Sequence, residues 1–205
     1  MSITDTNFNE RLEKQINFII EIDKIKSIIR KSKIFDGSRF ENDAEHSWTI
    51  CIMALLLREY SNTPIDIEKV ITMMLIHDIV EIDAGDTFFY SSDRKNAHAI
   101  EKAAAERIFG ILENNQKDFF LDLWNEFEEG KTNESKFATV FDRLEPLLQN
   151  YLTEGYTWKK HNITYEKIIE KNRHIEQGSK VIWDFMKIVL DKAVEKGILE
   201  REGRV

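Results

Sequence analysis

A single cysteine, Cys51, is all that the chain contains. An internal disulfide is therefore excluded, and the place of Cys51 in an apolar helical pattern reads as a small core residue suited to a reducing cytoplasm. Proline and glycine are also scarce, two and eight among 205 residues, so the sequence has few of the breakers that a sandwich or barrel needs at its many turns. Ile, Leu, Lys and Glu are plentiful instead, which favours helices joined by short loops and an all-α fold. No apolar run approaches the ~18 residues that cross a bilayer. Residues 1–6 carry no basic segment leading into an apolar one, so neither a membrane partner nor a secretory signal is expected. Basic residues are scattered and the formal charge is −8, which argues against a groove for a nucleic-acid polymer. The expectation is a cytoplasmic protein, with length enough for one domain and a sizeable core.

Hydrophobic spacing predicts the elements. From Phe8 to Ile29, residues such as Leu12, Ile16, Ile19, Ile22 and Ile25 recur at helical intervals and predict a long first helix. Arg30-Lys31-Ser32-Lys33 follows, either a helix end complementing the dipole or a loop that contacts phosphate. Asp36-Gly37 marks a turn. Asn42 with Glu45 three residues later is a capping-box pattern that starts a second, buried helix with His46 in its first turn. Asp66 is placed to cap a third helix over residues 67–82. Residues 83–92 read as a loop carrying Gly85, Asp86, Phe88, Phe89 and Tyr90, whose rings pack on the core or stack on a flat ligand. Further helices are predicted over residues 93–113, around 119–127 with Gly130 as the stop, and over 135–152 with a kink or break at Pro146. A polar loop around Gly155 and His161 leads to two last helices, Tyr165–Asn172 and residues 179–195. The sum is a helical bundle of about seven to eight helices.

Within it, Met73-Met74-Leu75-Ile76-His77-Asp78-Ile79-Val80-Glu81 plants three ionisable side chains in an apolar run. A buried carboxylate is costly unless it is paired or bound to a metal, so this run either holds an ion or closes a salt-bridge network. On a continuous helix Glu81 would follow His77 by four residues and Asp78 by three, turning all three toward one side. His46 and Asp142 arrive on helices of their own. Taken singly, a histidine opening a helix and an aspartate beside Arg143 and Glu145 also fit a solvated surface. Taken in order, His46, His77-Asp78 and Asp142 supply what a divalent ion in a bundle core needs, and imidazole with carboxylate suits Mn, Fe, Co, Ni or Zn.

That ordered set resembles the motif of the HD-domain phosphohydrolase superfamily. The likeness is closer to its bacterial 5′-deoxynucleotidase and HD-domain-containing protein 2 branch. There, Glu-Asn-x-x-Glu-His-Ser matches Glu41-Asn42-Asp43-Ala44-Glu45-His46-Ser47, His-Asp-x-x-Glu matches His77-Asp78-Ile79-Val80-Glu81, and Gly-Asp matches Gly85-Asp86. The branch carries an arginine and a tryptophan ahead of the first histidine, whereas Arg30-Lys31-Ser32 here provides the arginine alone.

The resemblance implies a metal-dependent phosphomonoesterase that removes phosphate from (deoxy)nucleoside 5′-monophosphates by attack of a metal-bound water, usually as a homodimer. His46, His77, Asp78 and Asp142 are then the ligands of one divalent ion. Glu81 and Asp86 are the candidate catalytic carboxylates, one orienting water and one acting as general acid. Arg30 and Lys31 are the candidate phosphate-binding cations. A single domain over residues 1–205 is expected, with a metal-site core near residues 25–150 and C-terminal helices over 151–205 packed on it. Two alternatives keep the same residues: an HD hydrolase of a diester, pyrophosphate or signalling nucleotide, and a non-catalytic metal- or nucleotide-binding regulatory module. His98, His161 and His174 sit in no matching motif, so one ion rather than two is expected.

Overall fold

A computed structural model describes residues 9–90 and 94–203, the side chains of residues 94–97 excepted. The readings made for residues 1–8 and 91–93 lie outside the described residues. Asn9 caps helix α1 (Glu10–Ile22), its side chain accepting the Arg11 N–H. The helix ends well short of Ile29. The chain passes through a 3-10 segment, Asp23–Ser27, into strand β1 (Ile29–Lys33), which pairs antiparallel with β2 (Phe40–Asn42), Ile29 opposite Asn42. The long first helix of the sequence reading is thus a shorter helix plus half of a hairpin. Isoleucine spacing misled because β-branched residues fit a pleated strand as well as a helix face. The consequence for function is that Arg30 stands on a strand.

Helix α2 (Asp43–Leu57) begins as expected. The Asn42 side chain accepts the Glu45 N–H at 3.0 Å and Glu45 accepts the Asn42 N–H at 3.4 Å, a complete capping box. Such caps are worth about 0.5–2 kcal/mol, and this one fixes where His46 enters the core. Asp66 caps α3 (Ile67–Ile76), again as expected, but α3 does not run on to residue 82. It tightens into a 3-10 turn over His77–Val80 and then the short α4 (Glu81–Ala84). Two backbone acceptors that a continuing α-helix would use are taken by side chains here. The His77 ring donates to the Met74 carbonyl at 2.8 Å, and the Trp124 indole N–H donates to the His77 carbonyl at 3.2 Å.

Then follow α5 (Arg94–Phe109), α6 (Asn114–Glu129), α7 (Asn133–Leu152), α8 (Tyr156–Lys160), α9 (Tyr165–Asn172) and α10 (Lys180–Glu195). Gly130 ends α6 in the left-handed region at φ 60°, the role its sequence position suggested. Helix α7 stays continuous through Pro146. Helix α8 lies within the stretch read as polar loop, and Gly155 before it has φ +70° with Ile198 O only 2.4 Å from where a Cβ would stand. Any side chain there would force the C-terminal segment away.

The bundle is organised on α7, which packs against α2, α3, α6, α10 and β1. Phe137 and Phe141 are fully buried on it and meet edge to face at 4.9 Å, each contributing about 1.5–3 kcal/mol by burial. Trp183, Met186 and Leu190 on α10 are buried as well, so residues beyond 151 complete the core. Apart from the small hairpin, the architecture is the all-α bundle expected. Among the described residues no helix is long and apolar enough to cross a membrane.

Candidate metal centre

His46, His77, Asp78 and Asp142 converge where the start of α2, the 3-10 turn after α3 and the middle of α7 meet. Both imidazoles are held the same way round. His46 donates its Nδ1–H to Glu145 Oε2 at 2.5 Å, and His77 donates its Nδ1–H to the Met74 carbonyl. Each ring therefore turns Nε2 toward the carboxylates. Asp142 Oδ1 lies 3.1 Å from His46 Nε2 and 3.7 Å from His77 Nε2. Asp78 reaches both rings too, Oδ1 at 3.1 Å from His77 Nε2 and Oδ2 at 3.9 Å from His46 Nε2. His46 is 0% exposed and His77 4% exposed.

Site electrostatics fit a cation. His77 Nε2, Glu81 Oε2 and Asp86 Oδ2 are buried without a hydrogen-bond partner among the described residues. His77 Nε2, with Asp78 Oδ1 at 3.1 Å, Asp142 Oδ1 at 3.7 Å and the His46 Nε2 on the same side, completes the imidazole and carboxylate donor set that a divalent transition ion takes. Without an ion, protons fill the role. Burial and the Arg30 charge would lower the His46 pKa, but hydrogen bonds to Asp142 and Glu145 carry it up to about 10. Burial would likewise raise Asp142, yet Arg143 and the two histidines hold it well below the usual carboxylate range.

Glu81 lies in a second nest with Asp43 and Asp78. Burial first, then the charges of Asp78 and Asp43, push its pKa up to about 12, so in this state Glu81 keeps its proton. Because α3 breaks before it, Glu81 is not on one continuous helix with His77. The 3-10 geometry, which stacks residues three apart, keeps it beside Asp78. Asp86, in the loop behind Gly85, is also pushed upward by burial, against the pull of Arg30 and of the Lys31 backbone N–H it accepts. Both carboxylates line the same cleft as His77, Asp78 and Asp142. Its volume of about 160 Å³ is room for a phosphoryl group and a few waters, each of about 30 Å³.

Arg30 reaches this centre from β1, but it meets carboxylates there. Its NH1 is 3.0 Å from Asp78 and 3.1 Å from Asp43, and its Nε is 3.5 Å from Glu41. Lys31 lines the cleft with an exposed side chain. The aromatic loop forms one wall: Phe88 meets His161 in a tilted ring contact at 4.4 Å, and the Arg143 guanidinium lies 3.6 Å over Phe89. On another rim His98, Glu101 and Glu128 cluster, the two glutamates lining the cleft.

Residues that the sequence reading did not assign are Glu41, Asp43, Arg143 and Glu145. Glu145 carried a signal. It follows Asp142 by three residues, hence on the same helix face, and that face proves buried rather than solvated. Glu41, Asp43 and Glu41's neighbours stood inside the matched Glu-Asn-x-x-Glu-His-Ser segment, and Glu41 lies 3.8 Å from His46 Nδ1.

A family model described as HD domain matches residues 22–183. The chain belongs to the HD domain family. It is 29% identical over 136 residues to 5′-deoxynucleotidase HDDC2 of Xenopus laevis, covering 65% of this chain and 66% of that protein. It is 26% identical over 122 residues to 5′-deoxynucleotidase YfbR of Escherichia coli, covering 55% of this chain and 61% of that one. The chain thus spans somewhat under two thirds of the length of these relatives. A crystal structure of a predicted metal-dependent phosphohydrolase from Magnetospirillum magnetotacticum is similar over 94% of this chain and 100% of that one, at 45% identity and a TM-score of 0.88. A conserved hypothetical protein from Pyrococcus furiosus, at 21% identity and a TM-score of 0.61, shares the fold. Family, neighbours and buried donor cluster together support a hydrolase that uses a divalent metal.

Proposed function

We propose that this HD-domain protein is a phosphomonoesterase that releases phosphate from (deoxy)nucleoside 5′-monophosphates, with one divalent ion (Mn, Co, Fe, Ni or Zn) held by His46, His77, Asp78 and Asp142. The observation that carries the reading is His77 Nε2, buried without a hydrogen bond among the described residues yet faced by Asp78 and Asp142, while its Nδ1 is committed to Met74. When bound, the cation supplies Lewis-acid stabilisation of phosphoryl charge and acidifies a water in the cleft.

The chain supplies the rest. Glu145 and the Met74 carbonyl orient the two imidazoles, and Arg30 binds Glu41, Asp43 and Asp78 into one rigid carboxylate frame. Glu81, one turn from Asp78, orients the attacking water and receives its proton once added positive charge has drawn down its pKa. Asp86, whose burial favours the protonated form, gives a proton to the leaving 5′-oxygen. Lys31 adds positive charge at the cleft. The nucleoside is received by the wall of Phe88, Phe89 and Tyr90, where rings can stack on a base.

The relatives named 5′-deoxynucleotidase support this substrate class. The same reading takes residues 1–205 as a single domain acting as a cytoplasmic homodimer. Trp48, Ile52, Leu55 and Leu56, all exposed on α2, offer an apolar face for a second copy. The test is phosphate release from nucleoside mono-, di- and triphosphates and a phosphodiester, with each metal supplied in turn. Preferential release from monophosphates is expected, and turnover confined to a diester would overturn the substrate class.

A further inference from the structure

Among the described residues, Arg30, Lys31 and Arg143 are the lysine and arginine side chains that line the cleft. We propose that Arg143 is the residue that grips the substrate phosphate, an assignment that rests on the phosphomonoesterase reading above. Arg30 is poorly placed for that task. Its charge is surrounded by Glu41, Asp43 and Asp78, each within 3.5 Å, and its side chain is only 12% exposed. A phosphate arriving there would have to displace carboxylates from a buried frame. Lys31 carries its charge on a flexible, exposed stem, which binds an anion as a point charge without fixing its orientation.

Arg143 differs in being held by one carboxylate rather than three and in having its guanidinium covered by an aromatic ring. It follows Asp142 directly on α7, and its NH2 lies 3.3 Å from Asp142 Oδ2, while Oδ1 of the same carboxylate faces both histidine Nε2 atoms. The guanidinium is therefore one carboxylate away from the metal centre. Its face is covered by the Phe89 ring at 3.6 Å, which leaves hydrogen bonding to the edge of the guanidinium plane. Arg143 Nε is buried with no hydrogen-bond acceptor among the described residues; Arg30 Nε is so too, but it has the Glu41 carboxylate 3.5 Å away. A guanidinium with one edge donor unpaired, held flat and charged at the wall of an anion-sized cleft, matches the fork geometry that phosphate oxygens accept.

The contact with Phe89 adds a coupling. Phe89 belongs to the loop that also presents Asp86, so a phosphate bound by Arg143 would sit between the metal ligands and the acid that serves its leaving group. Arg143 reads the phosphate, and the nucleoside is read elsewhere.

The experiment uses metal-loaded protein and inorganic phosphate as the probe, measured by calorimetry, with a nucleoside lacking phosphate as control. Arg143→Gln is expected to weaken phosphate binding about tenfold or more and to raise KM for nucleoside monophosphates. Metal per chain and nucleoside affinity should stay unchanged, and Arg143→Lys should recover part of the loss. Phosphate affinity equal to wild type in both variants would overturn the assignment alone. A parallel loss of metal would overturn it too, by making Arg143 a support for Asp142. A metal-loaded wild type that binds no phosphate would overturn the phosphomonoesterase reading and the assignment with it. If Arg143→Gln fails to fold, Arg143→Lys decides, since it keeps the charge and loses the fork.

Discussion

His77 donates its Nδ1–H to the carbonyl of Met74, three residues earlier, at 2.8 Å. That bond does two things at once: it helps end α3 at Ile76, and it fixes the tautomer that leaves Nε2 bare toward Asp78 and Asp142. His77→Gln should therefore lose the metal while keeping the bundle, because the rest of the donor set stays in place. Thermal melts with and without added metal check this. Wild type is expected to gain several degrees on metal addition by linkage, and the variant none.

Glu145 acts through His46, whose Nδ1–H it accepts at 2.5 Å. Glu145→Gln keeps the shape but removes the charge that orients and enriches the imidazole. Metal affinity is expected to fall about 10- to 100-fold, measured by competition with a chelator. An unchanged affinity would show that the Nε2 orientation is held by packing alone.

Metal-free protein has a distinctive pH dependence. Glu41 is raised to about 7, by burial and then by Glu145, Glu81 is raised to about 12, and His46 is raised to about 10. Each of these groups binds its proton more tightly folded than unfolded, where the carboxylates titrate near 4.5 and the histidine near 6.5. The folded state thus holds more protons across pH 5 to 9, and its stability falls as pH rises through that window. Melting temperature in chelator should decline from pH 5 to 9. With metal present the slope should reverse or flatten, since the ion competes with the His46 proton and binds better at higher pH. Calorimetry in buffers of different ionisation heat should register a proton released on binding.

Glu81 carries its proton in the metal-free state, so Glu81→Gln replaces a neutral acid by a neutral amide of the same shape. Stability of the metal-free protein is expected to change little and metal content not at all. Turnover should drop by about 10²-fold or more, the usual size of a lost proton-transfer group. Turnover near wild type would leave Glu81 a mere neighbour of the ligands.

Much of the centre was legible because buried charge is rare enough to be read. His77, Asp78 and Glu81 stood out in an apolar run, and the capping box of Asn42 and Glu45 placed His46 at the mouth of the core. Asp66, Gly130 and the last two helices were equally readable from caps and spacing. The hairpin was not, because Ile28 and Ile29 continue an isoleucine stripe that suits either state. The break after Ile76 was also hidden, since it depends on the His77 ring and on Trp124, which approaches from α6 far along the chain. For the same reason the ion pairs of Arg30, a candidate phosphate-binding cation in the sequence, were not visible there. Only the fold shows Glu41, Asp43 and Asp78 closing around it.

The central claim is that His46, His77, Asp78 and Asp142 hold the ion on which phosphate release depends. Asp78→Asn tests it most directly, since it removes one ligand charge and leaves Arg30 two carboxylate partners. The measurement is phosphate released from nucleoside 5′-monophosphates by wild type and variant at matched concentration, with bound metal determined on the same samples. The account predicts a folded variant with little metal and release reduced by about 10³-fold or more. Release at the wild-type rate from metal-poor Asp78→Asn protein would contradict it.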